Sequence, residues 1–452
     1  MESARKRKKA RKRTKTFLSC LREFVTPSVW KQAQTARNQG RKSPRWRTHP
    51  LIFVLLTMTW TCGDSAAERF ESARAFYVVC EPRRRRPGKT VEGFQKALAR
   101  LPVAALRAFA AVVRQRIVAL FADRWIVGGF VPLGCDGSRL ECPRTAELEG
   151  RLGQAGKTDS APTLWVTALV HLGLGIPWAW RFGKGTASER EHLMRLLKTL
   201  PRLALVVCDA GYTGFALGCA ILQAGADFLI RASSHVSLYR EEEEMVPLEE
   251  LQEGIFSYWP EAVQEAKGRP LKVRLIRVRD AKHKHDVWLL TSVLCPERLS
   301  VADASKFYRW RWENEGFFRT YKRTLHKVKL FSRTVRLVHR EAEGSLLAVQ
   351  LLLAQGTRAM PACHPSGEAL KCSPRRVLLE IRRELKGPLG PRPRTSFAER
   401  LEGARRECRV RTSAKAIRPW PGRGDHKPPK PPRLLTLNDR QKSLLERLLH
   451  AK

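Results

Sequence analysis

Residues 307–323 read FYRWRWENEGFFRTYKR and place Tyr308, Arg311, Glu315 and Lys322 at the spacing Tyr-x2-Arg-x3-Glu-x6-Lys. On a helix that turns by about 100° per residue, these side chains fall at roughly 0°, 300°, 340° and 320°. One carboxylate, two cations and a phenol would therefore share one narrow face. The pattern predicts a helix that presents this charged face to an anionic partner.

The opposite face of the same helix is aromatic. Trp310, Phe317 and Tyr321 lie there, and such a stripe is suited to burial against a core. The alternative interpretation is an ordinary amphipathic helix without a functional site. Further carboxylates upstream would favour a site over that alternative.

Two apolar runs upstream each lead to an aspartate. The run WIVGGFVPLGCDGSRL (125–140) predicts a strand that ends at Asp136, and LALVVCDAGYTG (203–214) predicts one that ends at Asp209. Ligand-binding residues of α/β sheets lie at such strand ends. A single Asp there often starts a turn or caps a helix instead. Two such residues followed by the helix of Glu315 favour a site.

The helix spacing resembles the signature of DDE transposases of the insertion-sequence-four family. The resemblance covers about residues 125–329 and is sharpest in DGSRLECPRT (136–145), CDAGYTG (208–214) and the helix 308–322. It implies that Asp136, Asp209 and Glu315 are the catalytic, metal-binding residues. It also implies that Tyr308, Arg311 and Lys322 contact DNA.

The chemistry of these residue types fits phosphoryl transfer. Three carboxylates can hold two Mg²⁺ ions, for which Mn²⁺ can substitute, and two ions can assist both the attacking and the leaving oxygen. Asp136 would bridge the two ions, and Asp209 and Glu315 would each complete one site. Arg311 would bind a phosphate through its planar fork, Lys322 as a point charge and Tyr308 through a hydrogen bond. The resemblance implies that water first frees a 3′-hydroxyl, which then attacks target DNA.

The predicted elements indicate an α/β fold. Their order β-β-β-α-β-α-β, with acids on the first and fourth strands, resembles a ribonuclease H-like core. Alternating patterns in KVRLIRVR (272–279) and DVWLLTSV (286–293) predict an antiparallel β insertion between Asp209 and the Glu315 helix.

Composition suggests four regions. We predict a basic DNA-binding arm at 1–50, a helical N-terminal domain at 51–121, a core at 122–355 with its insertion at about 233–300, and a basic, Pro-rich, largely flexible C-terminal region at 356–452. The last 15 residues could form a short helix capped by Asn438 or Asp439 that contacts a second protomer or lies on the surface.

The charge predicts a polyanionic partner. Lys and Arg number 85 against 43 Asp and Glu, for a net charge of +42. The segment RKRKKARKRTK (5–15) is typical of a phosphate-binding arm, with a solubilising tail as the alternative. We therefore expect double-stranded DNA as the partner, both element terminal repeats and target. A homodimer is expected in the DNA complex.

Eleven cysteines without a CxxC pair do not suggest a disulfide framework and fit a reducing cytoplasm, with association to the nucleoid. The apolar run Leu51–Cys62 is too short to span a bilayer, and we expect a buried helix there and no membrane partner. Most tryptophans should be core residues. Trp259 and Trp288, in the insertion, are also candidates for stacking on an extruded base.

The chain departs from the family in one turn: members commonly have Asn where this sequence has Glu147 or Glu149. Two other functions remain open. A metal-dependent nuclease of the same fold would cut without joining, and a non-catalytic DNA-binding relic of a transposase would do neither. The presence of all three acids favours the transposase, a mobile-element enzyme.

Overall fold

The computed structural model describes residues 16–37, 45–154, 159–240, 251, 253–279, 286–361, 371–387, 395–406 and 431–450. The N-terminal segment RKRKKARKRTK, predicted to bind phosphates, lies outside these residues. No helix among the described residues combines the length and the apolar character that a membrane crossing requires.

The described α-helices are, in chain order, α1 (Phe17–Phe24), α2 (Pro27–Arg37), α3 (Thr48–Trp60), α4 (Ala66–Cys80), α5 (Val91–Ala99), α6 (Val103–Leu120), α7 (Ala122–Trp125), α8 (Ala146–Leu152), α9 (Glu189–Leu196), α10 (Phe215–Gln223), α11 (Glu261–Glu265), α12 (Val301–Trp310), α13 (Trp312–Arg319), α14 (Val335–Ala359), α15 (Pro374–Lys386), α16 (Phe397–Glu402) and α17 (Asp439–His450). The strands are β1 (Val131–Glu141), β2 (Thr163–His171), β3 (Ile176–Lys184), β4 (Ala204–Cys208), β5 (Asp227–Arg231), β6 (Ser237–Arg240), β7 (Glu253–Tyr258), β8 (Leu271–Val278), β9 (Val287–Thr291) and β10 (Arg433–Thr436).

The chain divides into two compact units. The larger comprises Met1–Trp125, Gly137–Ala187 and Glu315–Glu407, and the smaller comprises Ile126–Asp136, Ser188–Asn314 and Cys408–Lys452. Strand β1 therefore contributes its first half to the smaller unit and its second half to the larger. Both units are mixed α and β.

The larger unit is built around α14. Nearly every residue from Ala342 to Thr357 is buried, which is typical of a helix enclosed on all sides. Helix α3 packs against it, and a Cβ at Gly344 would clash with the Leu55 side chain, so glycine allows this close approach. The Trp60 Nε1 donates a hydrogen bond to the Ala348 carbonyl at 3.1 Å. The prediction of a buried helix at Leu51–Cys62 is confirmed.

The smaller unit contains strands in the order β10-β6-β7-β8-β9-β5-β4-β1. β4 pairs in parallel with both β1 and β5, whereas β7, β8 and β9 form antiparallel pairs. The predicted antiparallel insertion is thus present. In the larger unit β2 and β3 form an antiparallel pair from Leu164–Lys184 to His171–Ile176.

The described part of the C-terminal region is more ordered than predicted. Helix α15 buries an apolar stripe of Val377, Leu378 and Ile381. The many charged residues of this helix make the stripe inconspicuous in the composition of the segment. Helix α17 is capped by Asn438, whose Oδ1 accepts from the Gln441 backbone N–H at 2.9 Å. Its Leu445 packs with Trp259 of the same chain. The apolar face of α17 therefore has an intramolecular partner.

Candidate active site

Three parallel strands of the smaller unit bring charged residues to one edge of the sheet. The β1–β4 pairing ends at Gly134 and Val207, and continuing that register by two residues aligns Asp136 with Asp209. The β4–β5 register, which pairs Cys208 with Ile230, aligns Asp209 with Arg231. Two carboxylates and a guanidinium therefore lie within two residues of the carboxyl ends of the paired segments of adjacent parallel strands.

The surroundings of Asp136 differ from the prediction in one respect. The apolar run ends at Asp136, but the strand continues to Glu141. Hydrophobicity reports which side chains are buried, whereas a strand continues as long as its backbone finds partners. Asp136 is half-buried and lies just past the last β1–β4 pair.

The loop after Asp209 is held in place on several sides. The Asp209 Oδ1 accepts from the Gly211 N–H at 2.9 Å, so the aspartate caps the short 3₁₀ turn Ala210–Tyr212. The Gly211 carbonyl in turn accepts from the Arg190 Nε at 2.6 Å. The buried Tyr212 hydroxyl lies 3.6 Å from the Sγ of Cys135, the residue immediately before Asp136. These contacts fix the position of the Asp209 carboxylate.

Tyr308 joins this group from helix α12. Its side chain hydrogen-bonds with that of Arg231 and is close enough to Asp209 to interact with its charge. Burial raises the pKa of Tyr308, so the phenol stays protonated and can donate. The Arg311 guanidinium lies 5.9 Å from the Tyr308 ring centre and 5.2 Å from that of Trp312. Two of the three predicted DNA-contacting residues, Tyr308 and Arg311, thus lie in the smaller unit with Asp209.

The helix that carries the signature is not one regular α-helix. At Arg311 the backbone tightens to the hydrogen-bond pattern of a 3₁₀-helix, in which each N–H donates to the carbonyl three residues earlier. The Arg311 N–H donates to the Tyr308 carbonyl, and the Asn314 N–H donates to the Arg311 carbonyl. It then widens into a π-helix at Thr320–Thr324. The prediction of uniform turns of about 100° is therefore wrong at two places. π-Helical turns are frequent at functional sites.

The aromatic face of this segment is largely as predicted. Phe317 and Tyr321 are buried, and the Tyr321 hydroxyl lies 2.7 Å from the Ser345 Oγ. Trp310 is only half-buried, with the Lys306 ammonium 5.1 Å from its ring centre. Glu315 is half-buried in α13 and belongs to the larger unit, whereas Asp136 and Asp209 belong to the smaller.

Comparison with known proteins bears directly on these residues. Residues 135–351 match the transposase DDE domain. The match supports a DDE transposase. It starts one residue before Asp136 and includes Asp209, the β insertion and Glu315.

Two other comparisons add little to the DDE domain match. No curated protein sequence matches the chain. Among solved structures, a cryo-EM structure of the piggyBac transposase synaptic complex with hairpin DNA is similar at 13% identity and a TM-score of 0.41, over 86% of this chain and 82% of that chain. This likeness is distant, and no conclusion about the DDE domain rests on it.

Lys322, the last residue of the signature, lies in the π-helical turn of the larger unit and is half-buried. Burial and the neighbouring Arg139 both lower the pKa of its ammonium. The Arg139 guanidinium itself lies 4.4 Å from the Trp165 ring centre. Lys322 thus stands among other cations, an environment suited to an anionic ligand.

Glu147 and Glu149, either of which could stand at the turn where Asn was expected from the resemblance, both have structural contacts. The Glu147 Oε1 accepts from the Val335 N–H at 3.0 Å, at the start of α14. The Glu149 Oε1 accepts from the Arg144 Nε at 2.7 Å. Glu147 therefore accepts a hydrogen bond from a backbone N–H in the first turn of α14, which lacks a partner within the helix. This contact helps to hold the start of α14 in place.

The two tryptophans of the insertion are not exposed. Trp259 is fully buried, and its Nε1 donates to the Gly268 carbonyl at 2.8 Å. Trp288 is 7% exposed, and the Arg277 guanidinium lies 5.5 Å from its ring centre. The suggestion that either stacks on an extruded base is therefore wrong for this conformation. Both serve the core of the smaller unit.

Sequence reasoning missed Arg231 and Arg190. Arg231 ends the apolar strand DFLIR directly after the Asp209 strand, so the rule that located the aspartates could have found it. Arg190 gave no such signal, because its contact with Gly211 depends on the fold.

Among the residues that the structure describes, no group of three His, Cys, Asp or Glu side chains is close enough to hold a metal ion.

Proposed function

We propose that this chain is a DDE transposase of the insertion-sequence-four family that cleaves DNA at the ends of its own element and joins the freed 3′-hydroxyl to target DNA. The observation that carries the proposal is that Asp136 and Asp209 each lie two residues past the last pair of the parallel β1–β4 ladder, with Tyr308 of the signature segment beside Asp209. Glu315 follows on the next helix, α13. Acids on two strands followed by one on a helix are the order that the resemblance implies.

Asp136, Asp209 and Glu315 are proposed to hold two Mg²⁺ ions. Their carboxylate oxygens fit the donor preference of this ion, and the hydrogen bond from Gly211 leaves Asp209 oriented for a ligand. When bound, the two ions would supply activation of the attacking oxygen and stabilisation of the leaving oxygen. Mn²⁺ can replace Mg²⁺ in such a site.

The neighbouring side chains have separate roles in this proposal. Arg311 binds a DNA phosphate through its planar fork, and Lys322 binds one as a point charge. Tyr308 donates a hydrogen bond to a phosphate oxygen, which its raised pKa permits. Arg231 positions the Tyr308 hydroxyl through their mutual hydrogen bond. A loose Tyr308 would present its donor in several orientations, so Arg231 contributes preorganisation.

The wider features follow from the same proposal. Double-stranded DNA is the partner, as element terminal repeats and as target, and the net charge of +42 supports an extended electrostatic contact. We further propose that residues 1–50 serve as a DNA-binding arm, that the protein acts as a homodimer on DNA, and that it associates with the nucleoid. The domain boundaries at 51–121 and 122–355 stay predictions.

A strand-transfer assay tests this function against its two alternatives. A short duplex with a pre-cut end, copied from the DNA that flanks the coding region, is incubated with the protein, Mg²⁺ and a supercoiled plasmid. We expect the end to become covalently joined to the plasmid through its 3′-hydroxyl. The matched control is the same duplex with a 3′-deoxy terminus, which should not be joined.

The alternatives give different products. A nuclease would cut an uncut flanking duplex without joining the pre-cut one. A DNA-binding relic would shift both duplexes in a gel and change neither. Either result, with binding intact, would contradict the proposed function.

A further inference from the structure

A basic cleft lies within the larger unit. Its volume is about 880 Å³. Six of its lining side chains are permanent cations: Arg69, Lys322, Arg323, Lys329, Arg333 and Arg382. Asp64 is the one acidic side chain among the described residues that line it. Such an excess of one charge in a concave site concentrates anions.

One wall of the cleft is the segment after the π-helix, and a buried ion pair holds it. The Lys327 Nζ lies 2.9 Å from the Glu341 Oε1, and both side chains are largely inaccessible to solvent. The same carboxylate accepts from the Phe331 N–H at 3.0 Å and the Ser332 N–H at 2.9 Å. These bonds fix the backbone from Lys327 to Ser332. Lys329 and Arg333 of this ordered wall are exposed, and the Lys329 ammonium also lies 3.8 Å from the Glu141 Oε1 in a solvent-exposed ion pair.

The other wall comes from parts of the chain outside the DDE domain match and contacts the first. The Arg69 Nε donates to the Gly63 carbonyl at 2.8 Å, and its guanidinium lies 4.8 Å from the Phe331 ring centre. The Arg382 Nε donates to the Trp60 carbonyl at 3.0 Å. A guanidinium carries five N–H donors, so one bond to a carbonyl fixes its position and retains capacity for an anion. Both cations are thus preorganised.

The cations of the cleft also repel one another. Burial and, to a smaller extent, the neighbouring Arg139 lower the pKa of Lys322. An anion in the cleft would offset this repulsion. Arginine and lysine make up most of the polar lining, and roughly half to two-thirds of protein–DNA hydrogen bonds go to phosphate and sugar. The lining therefore favours contact with the phosphate backbone.

We propose that this cleft binds the phosphate backbone of one DNA strand, in a sequence-independent manner, through Lys329 and Arg333 on one wall and Arg69 and Arg382 on the other. The inference rests on the proposed function, which makes DNA the partner. It extends the DNA contact beyond the signature helix to an N-terminal helix and to α15. A single phosphate would leave most of a cleft of about 880 Å³ unfilled, whereas a run of several phosphates matches its dispersed cations.

The test compares two double variants with equal loss of charge. Lys329→Gln with Arg333→Gln removes two exposed cations from the cleft, and Arg440→Gln with Arg447→Gln removes two exposed cations from α17. Binding of an oligothymidylate is measured over a range of salt concentrations. For the cleft variant we expect the slope of log K against log salt to fall by about 1.4, because each lost contact with a single strand contributes about 0.7. The α17 variant should keep the wild-type slope.

Equal melting temperatures of the three proteins would show that folding is intact. An unchanged slope for the cleft variant, or an equal change for both variants, would overturn the inference. The full-length Asp136→Ala protein, assayed for cleavage in parallel, separates this failure from that of the proposed function. If it has lost cleavage while the cleft variant binds normally, the function stands and the cleft assignment falls. If it cleaves like wild type, the proposed function itself fails.

Discussion

Replacing Asp136, Asp209 or Glu315 by Ala is expected to lower the rate of element-end cleavage by about 10³-fold or more. Each change removes a carboxylate from the set proposed to hold the ions, and those ions would stabilise the charge of the transition state. The expected loss is large because an alanine offers no oxygen ligand in place of the carboxylate. DNA binding should survive, since it depends on cations elsewhere.

The measurement is single-turnover cleavage of duplexes copied from the flanking DNA, with binding measured in parallel. Glu313→Ala is a matched control, because Glu313 lies on the same helix two residues before Glu315 and falls on another face. It should cleave at a rate close to wild type. If one of the three Ala variants cleaves at the wild-type rate, that residue is wrongly assigned. If Glu313→Ala is as inactive as Glu315→Ala, the helix carries the acid at another position.

Arg311→Lys is expected to lower cleavage by on the order of 10²-fold while DNA binding stays near wild type. Lysine keeps the charge but lacks the planar fork that binds a phosphate through two parallel hydrogen bonds. The Arg311 guanidinium also lies against the Tyr308 and Trp312 rings, at 5.9 Å and 5.2 Å from their centres, which orients its plane. An ammonium would lose that orientation and misplace the scissile phosphate.

Lys322→Arg provides the comparison for Arg311→Lys. Lys322 acts as a point charge in the proposal and lines an open cleft, so the larger guanidinium should be tolerated with a smaller loss. Both variants are assayed on uncut and pre-cut ends. Wild-type cleavage by Arg311→Lys together with an inactive Lys322→Arg would reverse the roles proposed for the two cations. That outcome would leave the transposase assignment intact.

The sequence predicted that Asp136 and Asp209 each follow a buried run of residues, because that prediction rests on a local pattern. Buried strands read as apolar runs, and both β1 and β4 contain such a run directly before the aspartate. The parallel β1–β4 pairing ends two residues before each aspartate, at Gly134 and Val207, so both follow the carboxyl ends of paired strands, as in other α/β sheets.

Other features depend on tertiary contacts that a local pattern does not record. The tightening at Arg311 and the π-helix at Thr320–Thr324 change the direction of the signature helix without any Pro or Gly at those positions. Arg231 takes part in the site only because β5 pairs beside β4. The burial of Trp259 depends on α17, which follows about 180 residues later in the chain and packs Leu445 against it. Such contacts decide orientation and burial, and they were the source of the wrong predictions.

The C-terminal region shows how composition can mislead. High Pro, Gly and Arg content predicted flexibility from residue 356 onward, yet α15, α16 and β10 lie within it. Arg400 of α16 pairs with Glu380 and Glu384 of α15, so charges that suggested a solvated segment join two helices. Average composition does not reveal such a pairing.

Metal specificity of an Asp209→Cys variant tests most directly whether the aligned carboxylates bind metal ions. Mg²⁺ requires oxygen ligands, whereas Mn²⁺ is a transition metal that also accepts sulfur. We predict that Asp209→Cys does not cleave element ends in Mg²⁺ and regains measurable cleavage in Mn²⁺, while Asp209→Ala stays inactive in both. Cleavage by Asp209→Cys in Mg²⁺ at the wild-type rate, or no more cleavage in Mn²⁺ than Asp209→Ala shows, would contradict the assignment of Asp209 as a metal ligand.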